Sequence, residues 1–138
     1  MSIVQTQTTS FKKELYEAVH NLSTNTLKIA LYTGNASLNE DTTVYSATNE
    51  VVASGYTAGG NTLTGVTNSS SDYTAYVNFA NTSWTAAITA RCALIYNVTQ
   101  GNKSIAVIDF GADKTSTATF TITMPANTST TALIRSSN

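Results

Sequence analysis

The chain has 138 residues, enough for one domain with a real core, and its single cysteine, Cys92, excludes an internal disulfide. Lys and Arg total 7 against 8 Asp and Glu, a formal charge of −1, and charged residues make up only 11% of the chain. An ordinary globular domain carries about 25%, so this surface is solvated by Thr, Ser and Asn, and it lacks the electrostatic pull that nucleic-acid or membrane binding needs.

In chain order, residues 1–10 are polar and aperiodic and predict an extended N-terminal arm, either frayed or ordered on a neighbour. Residues 11–138 predict a single β-rich domain. SFKKELYEAVHNL, about 10–22, predicts its one helix. Phe11, Leu15, Val19 and Leu22 make an apolar stripe, Thr9 or Ser10 caps the start, and Lys12, Lys13, Glu14 and Glu17 face water. TLKIALYT (26–33) alternates strictly, with Leu27, Ile29 and Leu31 on one face and Lys28, Ala30 and Tyr32 on the other.

Further strands are expected at 43–47, 50–54, 61–66, 73–80, 88–97, 103–110, 117–124 and 131–135. NSSSD, NTS, QGNK, GADKTS and PANTST form the turns between them. This pattern predicts a mainly β fold, an antiparallel β-sandwich or barrel-like domain with one N-terminal helix. Strands 88–97 and 103–110 are apolar on both faces. They are expected as a central hairpin, with Ala90, Cys92, Leu94 and Tyr96 sharing one face.

The glycine-rich GYTAGGNTL (55–63) is not a phosphate cradle. No lysine follows Gly60, and a strand rather than a helix comes next. Gly59-Gly60-Asn61 is hairpin-turn chemistry. His20, the single histidine, lies near the helix end, facing water or the helix C-terminus, and has no catalytic or metal-binding partners nearby in sequence. Cys92 lies on an apolar strand as a small buried hydrophobe. Arg91 and Asp109 each interrupt an apolar strand, and either pair across the hairpin or reach a neighbouring subunit. Trp84 is a core or subunit-contact aromatic. If exposed beside Tyr73 and Tyr76, it would instead be a sugar platform. No catalytic, cofactor-binding or metal set emerges, so a non-enzyme without cofactor is expected. MSIVQTQTTS has no signal-peptide pattern, which predicts a cytoplasmic site of synthesis.

The stretches FKKEL, LKIALYTG, VYSATNEVVASGYTAGGNTL, TARCALIYN and DFGADKTST, spread over roughly 11–135, resemble a family of small bacteriophage virion structural proteins. The resemblance implies a head decoration, or cement, protein on the capsid surface, with some members tail-fibre-related. It implies no catalytic residues. The expected partners are the major capsid protein and copies of the chain itself, as a homotrimer, with no nucleic acid and no membrane. Ile3, Val4, Arg91, Ile95 and Asp109 are the expected assembly contacts. The alternative is a tail-fibre or receptor-binding module contacting glycan through Trp84, Tyr73 and Tyr76.

Overall fold

The computed structural model describes residues 2–137. The cap of helix α1 (Thr9–Tyr16) is Thr8, one residue ahead of the expected Thr9 or Ser10. Its Oγ1 accepts a hydrogen bond from the Phe11 N–H, lies 2.9 Å from Ser104 Oγ, and is fully buried. The helix stops at Tyr16 rather than near 22. Ala18 adopts a left-handed φ of 58°, the Val19 N–H donates to the Glu14 carbonyl, and the Ala18 N–H donates to Leu15. These bonds form a Schellman stop without glycine. The expected stripe is therefore split. Phe11 is fully buried, Leu22 enters the core from the following turn, and Leu15 stays largely exposed.

The strands are β1 (Thr6–Gln7), β2 (Leu27–Tyr32), β3 (Asn61–Thr62), β4 (Thr67–Ser71), β5 (Thr74–Asn78), β6 (Thr82–Trp84), β7 (Thr89–Asn97), β8 (Lys103–Thr115), β9 (Phe120–Ile122) and β10 (Ile134–Ser137). Strand takes 41% of the chain and helix 6%, which makes the class mainly β, as expected. A five-stranded sheet runs β1-β8-β7-β2-β3, a three-stranded sheet β10-β5-β4, and a two-stranded ribbon β6-β9. All these pairings are antiparallel.

The five-stranded sheet is covered on both faces, which explains its two-sided apolar strands. On one face Leu27, Ile29 and Leu31 of β2 and Ala93 and Ile95 of β7 pack with α1 and the smaller sheets. On the other, Ala30, Tyr32, Cys92, Leu94 and Tyr96 pack under the 33–60 connection through Ala36 and Leu38. One expected face needs correction. The register of β7 against β8 shifts between Ala90 and Cys92, where residues 110–113 of β8 lie opposite Arg91 alone, and Ala90 packs with Ala93 and Ile95 in the larger core. A second shift between Ile95 and Tyr96 lets both Ile105 and Ala106 of β8 enter the larger core.

Several expected boundaries move. Residues 43–47 and 50–54 form isolated bridges, Val44 to Lys103 and Glu50 to Tyr32, but no strand. GADKT, expected as a turn, is the outer half of β8. NSSS lies within β4, and its turn is made by Asp72 and Tyr73, with φ of 53° and 66°. The arm is docked on its own domain: β1 pairs with β8, and Ile3 bridges Leu38.

Candidate functional site

The expected assembly contacts do not form one surface. Ile95 is fully buried in the larger core, so it cannot meet a partner. Ile3 is half-buried against the second core, and Val4 beside it is 41% exposed. Arg91 and Asp109 take the cross-hairpin alternative, with Arg91 Nε donating to Asp109 Oδ1 at 3.2 Å. Asp109 Oδ1 also accepts the Gly111 N–H at 2.8 Å, while Asp109's own N–H donates to Gln5 Oε1. The Gly111 N–H and then Arg91 hold the Asp109 carboxyl below its usual range. Side chains thus satisfy two backbone donors on β8 beyond its pairing with β1.

The aromatic trio is likewise dispersed. Trp84 is 4% exposed, packed near Tyr56 and Phe120. Tyr73 projects from the β4–β5 turn at 98% exposure, and Tyr76 is half-buried within β5. A buried indole offers no stacking face, so the sugar platform expected of Trp84, Tyr73 and Tyr76 is not built. His20 also departs from expectation. It is buried, with Nε2 2.9 Å from Glu14 Oε1 and Nδ1 3.0 Å from Asn97 Nδ2. Cys92 is fully buried, and burial pushes its thiol up to about 12.

The most organised polar site was not singled out from sequence. Glu50 is 6% exposed at the start of the 50–54 segment. Its Oε1 accepts from the Tyr45 hydroxyl at 2.5 Å. Its Oε2 accepts from the Tyr56 hydroxyl at 2.6 Å and from the Gly59 N–H at 2.8 Å. The Tyr56 oxygen in turn accepts the Leu31 N–H, and the Tyr96 hydroxyl donates to the Gly59 carbonyl at 2.6 Å. Tyr45 and Tyr96 stack with ring centroids 4.7 Å apart. Burial first, then the Glu50 carboxylate, raises the phenols of Tyr45 and Tyr56 well above the ordinary tyrosine range, and burial pushes Tyr96 up to about 12. All three therefore stay protonated donors at any neutral or mildly alkaline pH.

GYTAGGNTL is the backbone half of this knot. Gly60 has φ of 79°, and a Cβ there would stand 1.8 Å from the Ile29 carbonyl oxygen. The chain can pass so close to β2 only because position 60 has no side chain. The segment is a tight turn, as expected, but it leads into β3 against β2 rather than closing a hairpin with 50–54. The knot fastens the 44–60 connection over the sheet. Val52, two residues beyond Glu50, points outward at 97% exposure. A regular spacing could not have exposed this site, because Tyr45, Glu50, Tyr56 and Gly59 come from a connection and Tyr96 from β7.

The chemistry available is donation to a saturated carboxylate. Every Glu50 oxygen is occupied by the protein's own donors, so this is a fastening rather than an open site. Among the described residues, no group of three or more His, Cys, Asp or Glu is placed to hold a metal ion, and no helix is long and apolar enough to cross a membrane. Comparison of the chain with protein-family models, with curated proteins and with solved structures finds no match.

Proposed function

We propose that this chain is a bacteriophage virion structural protein that decorates and stabilises the capsid, binding the major capsid protein and further copies of itself. One observation carries the reading. Within the stretches that carry the resemblance, Glu50, Val51, Tyr56 and Gly59 of NEVVASGYTAGG are buried in or beside the Glu50 knot, most of TARCALIYN is buried in the central sheet, and the fastened loop displays Val52 outward. A motif used to hold a loop rigid, with an apolar side chain on its outer side, suits a protein whose work is surface burial. Pre-ordering that loop removes the entropy cost of ordering it on contact. Decoration repeats the contact over many copies, so each needs only ordinary interface area. Three copies around a local three-fold are the expected assembly.

The test is rebinding. Capsids stripped of this protein are mixed with the purified chain and sedimented. The native chain co-sediments to saturation, and Val52→Asp reduces binding at least tenfold while its thermal midpoint stays within about 2 °C, because a side chain this exposed contributes little to the fold. Failure of the native chain to co-sediment with such capsids would remove the reading. Equal binding by Val52→Asp would move the contact elsewhere. The tail-fibre alternative loses its supporting feature with the burial of Trp84.

A further inference from the structure

The junction after α1 contains a polar relay that fixes the tautomer of His20. The Asn21 N–H donates to Asn25 Oδ1, which commits that oxygen as an acceptor. Asn97 Nδ2 donates to the same Asn25 oxygen at 2.9 Å, while Asn97 Oδ1 and the Asn97 backbone carbonyl share the Gln100 N–H at 3.3 Å. Two backbone amides therefore set the orientation of both side-chain amides, and Asn97 turns its NH₂ toward His20 Nδ1 at 3.0 Å. Nδ1 must then be the unprotonated nitrogen, and Nε2–H donates to Glu14 Oε1 at 2.9 Å. The His20 side chain has no solvent exposure, and its ring is tilted against Phe11 at 5.0 Å.

We propose that this relay is an acid-sensitive latch joining the α1–β2 connection to the end of β7. Adding a proton to Nδ1 sets N–H against N–H. It can be accommodated only if the Asn97 amide turns over, and that sets its oxygen against Asn25 Oδ1 and its NH₂ against the Gln100 N–H. Protonation of one ring thus loosens residues 21–25 and 97–100 together. Glu14 on α1 is the one ionisable group in hydrogen-bond contact with the ring. The partners from β7 and from the 21–25 connection are Asn97 and Asn25, which do not titrate. The latch therefore opens on protonation of His20 itself, because neither amide partner can take up or release the proton.

The test uses the intact chain. Imidazole ¹⁵N chemical shifts at pH 7.5 report the tautomer, and amide hydrogen exchange, corrected for intrinsic rates, is followed from pH 7.5 to 5. The latch predicts the Nε2–H tautomer and a roughly tenfold loss of protection at Asn21 and Gln100 that tracks the imidazole titration, as expected for losing one or two hydrogen bonds. In His20→Gln, which cannot titrate, protection at those amides should not change with pH. An Nδ1–H tautomer at pH 7.5, or an imidazole that titrates with protection unchanged at both amides, would overturn it. So would the same acid-dependent loss in folded His20→Gln.

Discussion

Glu50 is the residue on which the 44–60 connection depends. Glu50→Ala would leave the hydroxyls of Tyr45 and Tyr56 and the Gly59 N–H without their acceptor in a buried site. The expected loss is about 3 kcal/mol or more, read as a fall in denaturant midpoint, with Glu50→Gln costing less because one acceptor oxygen remains. The same knot gives the fold an alkaline limit. Burial raises the phenol pKa of Tyr32, Tyr45, Tyr56 and Tyr96, the last to about 12, whereas tyrosines of an unfolded chain ionise near about 10. The folded state keeps protons that the unfolded state gives up. This contribution is fully present below about pH 10 and is lost as pH rises from 10 toward 12. Tyrosinate absorbance should show these four phenols ionising only as the protein unfolds. Normal titration of all seven tyrosines in folded protein would contradict the knot. Trp84, packed against Tyr56 and Phe120, should emit at short wavelength and resist quenching, and Trp84→Ala should cost about 3–5 kcal/mol by denaturant titration.

At the scale of elements, regular periodicity was legible and irregularity was not. The strict alternation of LKIALY placed β2 and both of its faces correctly, and the doubly apolar strands 88–97 and 103–110 are the central hairpin β7–β8. The errors share a cause. The face of Ala90 was misassigned because the pairing is irregular opposite Arg91, where β8 carries the extra residues 110–113, and such an irregularity depends on the partner strand. GADKT and NSSS carry turn-forming residues, yet Lys114 and Thr115 pair with β7 and all of NSSS pairs with β5, while Gly111 keeps a left-handed φ of 83°. The helix ended early because Ala18 takes a backbone conformation that its side chain does not advertise. Gly60 was recognised as a turn residue, but its close approach to β2 is a tertiary fact. Gly60→Ala must push Ile29 away from β3. It is expected to leave little soluble, cooperatively unfolding protein, which circular dichroism and a thermal melt would check.

Across the whole molecule, a five-stranded sheet lies between two cores, with a connection rather than a second full sheet covering one face. The mainly β class was readable from short strands and hydroxyl-rich turns. The site was not, because Glu50 meets Tyr96 only after β2 and β7 pair and the chain folds back across them. The expected contact Ile95 failed for a related reason: an apolar outer face in sequence became the inner face of a sheet covered on both sides. What remains outward is a weakly charged surface with a fastened loop and Val52 at its exterior, which fits attachment by burial rather than by ionic steering. The most direct measurement of the decoration proposal is a cryo-EM map of intact virus particles from a source that produces this chain. The proposal predicts density for the chain on the shell, bridging adjacent capsomers, with the Val52 loop against the major capsid protein. Density confined to the tail, or particles lacking the chain altogether, would contradict it.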